Sequence, residues 1–254
     1  MPLRETLLAS KVGYQAYMQL RWGMGTRDLP RVSWMNTALK NQSQVDAGVA
    51  ETARLRLPPC PDATKNWDTL AAIQEVLGRT DRHANVLDAG AELYSRFLPW
   101  LYLYGYRNLY GNNLVFKTPI RRGHIRYEPG DITRTRFEAG FFDAIACLSV
   151  IEHGVNLEAY FREMARILKP GAVLVTSTDY FETPTDTRGL SAYGVPIRIF
   201  TRDNLVEAIA IAERCGLRLT GPSDLSCQSR VVRWQQYGLE YTFAVFAMTK
   251  TEEA

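Results

Sequence analysis

Short apolar segments alternate with amphipathic helical segments from residue 85 onward, and this alternation restricts the fold more than any other feature. Apolar runs that end in Asp, Asn or Gly are typical of buried parallel strands and their exit turns. Such an alternation predicts a doubly wound, Rossmann-like α/β sheet of seven strands. The predicted strands are residues 85–90, 108–111, 125–127, 142–149, 173–176, 217–220 and 241–248, and the predicted helices are residues 68–77, 95–104, 157–168 and 205–215.

The region before these strands has a different hydrophobic pattern. Residues 1–57 read as helical but irregular, and residues 5–20 are the best periodic helix. Pro58, Pro59 and Pro61 must interrupt any helix and mark a boundary. We therefore expect a helical N-terminal extension over residues 1–60 and an α/β domain over residues 61–254.

Composition excludes several classes of protein. No apolar run approaches the roughly 18–20 residues of a membrane-spanning helix, and the N-terminal residues lack the pattern of a signal peptide. The formal net charge of +3 gives no clear indication of nucleic-acid binding. The four cysteines form no CxxC pair and have no histidine at zinc-ligand spacing. These patterns predict a reduced, cytoplasmic protein with no structural metal.

Four motifs occur in order along the predicted sheet, and together they resemble those of class I S-adenosylmethionine-dependent methyltransferases. The motifs are VLDAGAELYS (residues 86–95), GDIT (130–133), FFDAIACLSVIEH (141–153) and ARILKPGAVLVTSTDYF (165–181). The likeness covers about residues 67–250 and includes a final strand, YTFAVFAMTK, suited to antiparallel pairing. It implies the class I fold and S-adenosylmethionine as cofactor, with S-adenosylhomocysteine as product.

The turn after the first strand is where the resemblance places the methionine part of the cofactor. Asp88 and Gly90 match the family pattern, and the backbone of Ala91 belongs to the same turn. Glu92 and Tyr94 stand where the family often has glycines. A carboxylate at Glu92 would repel a pyrophosphate but tolerate an ammonium and a sulfonium, which favours S-adenosylmethionine over a dinucleotide. The alternative is that Glu92 points to solvent.

The resemblance also assigns residues to the nucleoside. Asn113 occupies the position of the acid that binds the ribose hydroxyls, although Asn112 and Asn113 are also ordinary turn residues. Asp131 matches the acid that accepts a hydrogen bond from the adenine amino group, and Ile132 would supply a backbone contact. The alternative role of Asp131 is to cap a turn.

The ends of the fourth and fifth strands are the predicted position of the transferring methyl group and its acceptor. Leu148 and Ser149 would line the cofactor there. His153 is a candidate general base, because an imidazole titrates near neutral pH, or it is a wall of the pocket. Asp179 and Tyr180, after the fifth strand, are further candidates for catalytic groups on the acceptor side.

These motifs predict an enzyme that transfers a methyl group to a small-molecule metabolite or natural product. Two alternatives remain open at this point. The chain could be a degenerate relative that serves as a binding or scaffold partner, because glycines and an acid of the family pattern are replaced. It could also use the cofactor for chemistry other than methyl transfer.

The N-terminal extension is rich in large apolar side chains, which a free solvated arm would not expose. They include Tyr14, Tyr17, Met18, Trp22 and Trp34. We expect this extension and residues 182–199 to pack together as a lid over the carboxyl edge of the sheet. The alternative is that the same aromatic residues form a homodimer interface.

Overall fold

A computed structural model describes residues 3–25, 27–192 and 194–252. Residue 193, inside the predicted lid segment 182–199, lies outside this description. Across the described residues seven helices occur, each placed on one side or the other of a central sheet. They are α1 (Leu3–Ala9), α2 (Lys11–Trp22), α3 (Gln42–Arg54), α4 (Lys65–Arg79), α5 (Phe97–Leu103), α6 (Leu157–Ile167) and α7 (Arg202–Arg214).

The central sheet follows the order β1-β12-β7-β6-β2-β3-β5-β4, with β10 and β11 also pairing with β12. Strands β7, β6, β2, β3 and β5 are mutually parallel, whereas β12 runs antiparallel to β7 as predicted. The strands are β1 (Thr37–Ala38), β2 (Asn85–Ala89), β3 (Asn108–Asn113), β4 (Ile120–Arg122), β5 (Ile125–Pro129), β6 (Phe142–Leu148), β7 (Leu168–Tyr180), β10 (Leu217–Leu219), β11 (Val232–Trp234) and β12 (Leu239–Lys250), and a separate hairpin contains β8 (Ser191–Ala192) and β9 (Val195–Pro196).

The doubly wound α/β fold is confirmed, but the predicted strand number is wrong. The sheet has ten strands rather than seven. The additional strands β1, β4 and β11 contain only two or three residues each, too few for a period of two to be visible in the sequence. The class of the sheet and the order of its central strands are unaffected, because all three lie toward its margins.

Two further boundaries differ from the sequence expectation. The helix predicted over residues 5–20 is broken at Ser10, whose hydroxyl caps α2 by accepting from the Gly13 N–H at 2.9 Å. Strand β7 begins at Leu168, five residues before the predicted strand at 173. The Lys-Pro-Gly sequence at 169–171 thus opens an extended strand instead of a loop.

Each face of the sheet has its own apolar core. On one face, helices α4 and α5 pack against Val86, Ala146 and Val175 of the sheet. Helices α6 and α7 cover the other face, where Cys147 and Leu174 are buried. Successive side chains of a strand point to opposite faces, so this division determines which polar groups at the strand ends can meet.

Residues 34–39 of the N-terminal extension join the sheet, and Trp34 and Leu39 among them belong to the core of the α4 face. Thr37 and Ala38 pair with Val245 and Ala244 of β12. The Trp34 indole is stacked on Trp67 of α4, with ring centroids 6.0 Å apart, and its N–H donates to the Trp67 carbonyl at 2.9 Å. This part of the extension is therefore built into the α/β unit.

The two segments of the predicted lid are anchored at different places. Near the start of the chain, Tyr14 packs on Tyr102 of α5 and against Gly123, close to β4. Residues 182–199 begin and end beside Asp179. The Phe200 N–H donates to the Asp179 carbonyl, and the Phe181 N–H donates to the Phe200 carbonyl, both at 2.9 Å. The second segment is thus tied to the carboxyl end of β7.

Candidate functional site

The turn that follows β2 has the backbone shape that a close ligand approach requires. Gly90 has φ +89°, a conformation that L side chains rarely adopt, and its N–H donates to the Asn112 carbonyl at 2.8 Å. A Cβ at Gly90 would lie 2.4 Å from Cγ2 of Val150, which follows β6. Glycine at this position therefore lets the turns after β2 and β6 pack closely.

The replaced glycines do not distort this turn. The non-glycine residues with positive φ are Asn36, Arg56, Ser149 and Arg188 among the described residues, so Glu92 and Tyr94 adopt ordinary backbone conformations. Glu92 is half-buried, and burial raises the pKa of its carboxyl. The turn needs positive φ at Gly90 and does not need it at the two later positions.

Asn113 supports the same turn from β3. Its side-chain amide donates to the carbonyls of Gly90 and Ala91 at 2.9 and 3.1 Å, and its oxygen accepts from the Val115 N–H at 3.2 Å. Both ends of this side chain are therefore engaged with the protein. In this structure Asn113 holds the turn in place, where the sequence predicted a ribose ligand.

A lysine and an aspartate from α4 meet the ends of β6 and β7. Lys65 forms an ion pair with Asp68 and donates to the Ser149 hydroxyl at 2.8 Å. The Ser177 hydroxyl donates to Asp68 at 2.6 Å. Burial lowers the pKa of the Lys65 ammonium, but the combined attraction of Asp68, Glu152 and Asp179 outweighs burial and leaves the pKa above its ordinary value. Ser149 has φ +53°, a strained conformation typical of functional turns.

Two further carboxyls are buried beside this ion pair. Glu152 is 1% exposed and accepts from the Thr178 hydroxyl at 3.2 Å, and its other oxygen is buried without a donor partner. Asp179 lies against Glu152 and interacts with the Tyr241 hydroxyl. Burial raises the pKa of both carboxyls, and their mutual repulsion raises that of Asp179 further. The pKa of each carboxyl therefore lies above its ordinary value.

Asp88 completes the acidic surroundings of Lys65. Its side chain is 4% exposed, and burial raises its pKa to about 7, although Lys65 opposes that shift. We call Asp68, Asp88, Glu152 and Asp179 the acidic cluster. They come from α4, β2, the turn after β6 and the end of β7, and Lys65 is the cation that interacts with them from α4. Asp88, Glu152 and Asp179 have raised pKa values and lie together at this sheet edge, an arrangement typical of functional sites.

The residues predicted for adenine and methyl binding lie at the same carboxyl edge. Asp131 is exposed and caps its own turn, since its Oδ1 accepts from the Thr133 N–H and hydroxyl at 2.8 and 2.7 Å. Ile132 is buried and Leu148 is half-buried. Leu148 is paired with Ser177 at the end of β6. These predicted cofactor residues therefore lie at the carboxyl ends of β5 and β6, on one edge of the sheet.

The three candidate catalytic residues are not brought together. Asp179 joins the acidic cluster, and His153 is half-buried next to Glu152 and lowers the pKa of that carboxyl. Tyr180 is fully buried on the other face of the sheet, and its hydroxyl donates to the Leu225 carbonyl at 2.8 Å. Tyr180 is therefore not part of the candidate site.

Sequence reasoning missed Lys65, Asp68, Glu152 and Tyr241 as site residues. Lys65 and Asp68 lie three residues apart near the start of α4, before the family motifs begin, so their meeting with Ser149 and Ser177 depends on tertiary packing. Glu152 had a signal in the sequence, because a glutamate within an apolar turn must find a buried partner.

Asp88 should make the stability of the protein depend on pH. In the unfolded chain its carboxyl ionises near pH 3.8, whereas the folded protein keeps the proton to about pH 7. Between these values the folded state binds more protons, so this group's contribution to the free energy of unfolding is present at low pH and is lost as pH rises toward 7.

We expect Asp88→Asn to remove this dependence. The unfolding free energy of the variant minus that of the natural protein should increase by about 2–3 kcal/mol from pH 4.5 to pH 7.5, because each pKa unit corresponds to ~1.4 kcal/mol. Urea unfolding of both proteins at the two pH values measures the difference. An equal difference at both values would contradict the assignment.

Some other site types find no support in the parts of the chain that the structure describes. Within residues 3–25, 27–192 and 194–252, no group of three His, Cys, Asp or Glu side chains could hold a metal ion. Over the same described ranges, no helix is long and apolar enough to cross a membrane. Cys60, Cys147 and Cys227 are buried free thiols, and Cys215 is a half-buried one.

Comparisons with known proteins agree with this geometry. A family model described as a methyltransferase domain matches residues 87–176, from β2 into β7. Demethylmenaquinone methyltransferase from Mycolicibacterium gilvum is 42% identical over 57 residues, 22% of this chain and 24% of that protein. The chain therefore matches about a quarter of the length of this curated relative.

Two solved structures show the fold. Geranyl diphosphate C-methyltransferase from Streptomyces coelicolor, in complex with S-adenosyl-L-homocysteine, superimposes with a TM-score of 0.55 and 17% identity over 94% of this chain and 98% of its own. 1,6-Didemethyltoxoflavin-N1-methyltransferase from Burkholderia thailandensis gives a TM-score of 0.51 and 20% identity over 73% of this chain and 77% of its own. At these identities the likeness establishes the architecture.

Proposed function

We propose that this chain is a class I S-adenosylmethionine-dependent methyltransferase and that it transfers the methyl group of this cofactor to a small-molecule acceptor. The observation that carries the proposal is the turn after β2, where Gly90 at φ +89° packs against the turn after β6. The matched methyltransferase domain spans both turns. The two solved structures contain small-molecule ligands, geranyl diphosphate and 1,6-didemethyltoxoflavin, and they support the acceptor class.

The charges at this edge suit the proposed cofactor. When bound, S-adenosylmethionine supplies a methyl group already activated on a sulfonium. The acidic cluster offers negative charge to that sulfonium and to the cofactor ammonium, whereas Lys65 offers a cation to its carboxylate. Asp88, at the end of β2, lies in the strand that leads into the cofactor turn.

The chain's residues then have to align the acceptor and manage its proton, because the methyl group needs no further activation. Asp179 and His153 are the candidate groups on the acceptor side. Asp131 and Ile132 at the end of β5 are proposed for adenine, and Leu148 and Ser149 for the cofactor beside β6. Asp131 keeps one carboxylate oxygen that no turn hydrogen bond uses.

We propose that residues 182–199 form the cover of the acceptor entrance. This segment starts and ends beside Asp179. Val195 of its hairpin lies against Gly154, where an added Cβ would sit 3.4 Å from Val195 Cγ1, and Gly154 follows His153. A cover at this position would exclude water from the reacting groups. Tyr14 and Trp34 of the N-terminal extension are buried in the core, so the half-buried Tyr17 and Trp22 are the aromatic residues that remain candidates for a homodimer interface.

Transfer of label tests the proposed function. The protein is incubated with methyl-labelled S-adenosylmethionine and a cell extract, and the small-molecule and macromolecular fractions are then separated. We expect label in the small-molecule fraction, and we expect Gly90→Ala to prevent its appearance. Label confined to RNA or protein would contradict the proposed acceptor class, and no transfer despite cofactor binding would favour a scaffold role.

A further inference from the structure

Asn112 has a buried side-chain amide that finds no partner. The residue lies near the carboxyl end of β3 and is 2% exposed. Both polar atoms of its side chain are buried, and neither has a hydrogen-bond partner within the parts of the chain that the structure describes. A buried amide without a partner is costly, so such a group in a native protein calls for an explanation.

The surroundings of this amide leave space that a side chain would fill. Gly130 directly follows β5, the neighbour of β3, and an added Cβ there would lie 3.0 Å from the Asn112 amide nitrogen. Gly130 does not have positive φ, so its backbone conformation does not require glycine. Strands β2 and β5 flank Asn112 within the sheet, so a ligand must approach the amide from the half-buried Gly130 turn.

The position of the amide places it on the side of the base. Successive side chains of a strand point to opposite faces, so the side chains of Asn112 and Asn113 diverge. The Asn113 amide is hydrogen-bonded to the turn after β2, where the methionine part of the cofactor is proposed to bind. Asn112 lies instead beside Gly130, which directly precedes Asp131, the residue proposed for adenine.

We propose that Asn112 recognises the base of the cofactor, and that its amide forms a pair of hydrogen bonds with an edge of adenine. This inference rests on the proposed function and adds a specificity-determining residue to it. A carboxamide presents one donor beside one acceptor, and adenine presents an amino donor beside a ring nitrogen that accepts. The two groups are therefore complementary, and the bound base gives the buried amide the partners that it otherwise lacks.

The proposal predicts opposite effects of Asn112→Leu on the free protein and on the complex. Leucine has the same branching and as many side-chain heavy atoms as asparagine, but it has no donor or acceptor. In the free protein the substitution removes an unsatisfied amide, so the melting temperature should rise by about 2–4 °C. In the complex it removes the contacts to the base. Affinity for S-adenosylhomocysteine, measured by titration calorimetry, should therefore fall about tenfold, equivalent to ~1.4 kcal/mol.

Asn108→Leu is the matched control at the other end of the same strand. The Asn108 amide donates to the His83 carbonyl at 2.8 Å, so this substitution removes a hydrogen bond that the protein satisfies by itself. The variant should keep the cofactor affinity and should not gain stability. Asp143→Asn is a second control for binding and should also keep the affinity, because Asp143 is a half-buried carboxylate that pairs with Lys169 at the amino end of β6.

Two smaller ligands test whether the contact is made to the base. 5′-Methylthioadenosine contains the nucleoside without the amino acid, and its 6-deamino analogue lacks the exocyclic amino group. We expect the preference of the natural protein for the first ligand to be lowered about fivefold in Asn112→Leu, the equivalent of one neutral hydrogen bond. The same preference in both proteins would show that Asn112 does not recognise the base.

Gly130→Ala keeps the test valid if Asn112→Leu does not fold. The new methyl group would fill the space beside the amide without backbone strain, so affinity for S-adenosylhomocysteine should fall about fivefold, by roughly 1 kcal/mol. Unchanged affinity in folded Asn112→Leu, or in Gly130→Ala, would overturn the inference and leave the proposed function standing. Lower stability of ligand-free Asn112→Leu would assign Asn112 a structural role instead. Absence of S-adenosylhomocysteine binding by the natural protein would overturn the proposed function and this inference with it.

Discussion

Gly90→Ala should abolish useful cofactor binding, because the substitution is penalised twice. The backbone has φ +89°, where a side chain costs about 1–2 kcal/mol, and the new Cβ would lie 2.4 Å from Val150 Cγ2. Relieving that overlap must move the turn after β2 or the turn after β6, at a further cost of about 1–3 kcal/mol. We expect affinity for S-adenosylhomocysteine to fall about 100-fold, measured by titration calorimetry.

Gly171→Ala separates the two penalties. Gly171 has φ +73°, and an added Cβ would meet no atom within 4 Å. This control should lose about 1–2 kcal/mol of unfolding free energy and keep its cofactor affinity. If Gly90→Ala binds S-adenosylhomocysteine as tightly as Gly171→Ala does, the close packing of the two turns is not what forms the site.

Trp67→Ala should be among the most destabilising single substitutions in the chain. Trp67 is fully buried and is stacked on Trp34. Its backbone is also closely packed, since a Cβ added at Gly48 would lie 3.4 Å from the Trp67 Cα. Removal of a buried tryptophan side chain costs about 3–5 kcal/mol. The melting temperature should fall by roughly 10 °C, since each kcal/mol corresponds to about 2–4 °C in a chain of this size.

Trp67→Phe is the matched control, because it keeps most of the apolar volume. The indole N–H of Trp67 is buried without a partner, so its loss removes an unsatisfied donor. We expect this variant to lose less than half as much stability as Trp67→Ala, in one cooperative thermal transition. Equal melting temperatures for Trp67→Ala and the natural protein would show that the N-terminal segment does not share the core.

Much of the fold could be predicted from the sequence because buried parallel strands leave a strong local signal. The runs that became β2 and β6 are apolar on both faces and end in turn residues, as βαβ units require. Strand β1 had no such signal, since Thr37–Ala38 is held by pairing with β12 rather than by its own pattern. Its place in the sheet depends on contacts between residues about 200 positions apart in the chain.

The site was predictable in part, for a related reason. Asp88 lies near the end of a recognisable strand and Gly90 follows that strand, so the cofactor turn could be placed from sequence. Asn113 occupied its expected position, but its amide binds the turn backbone, which only the packing reveals. Lys65 of α4 reaches Ser149 across 84 residues of chain, and no motif spacing encodes that contact.

Titration calorimetry of the natural protein with S-adenosylhomocysteine measures cofactor binding itself. We expect saturable binding of one molecule per chain, with affinity retained in Asp143→Asn and lowered about 100-fold in Gly90→Ala. The claim that the turn after β2 binds this cofactor would be contradicted by the absence of binding at millimolar ligand, or by equal affinity in Gly90→Ala.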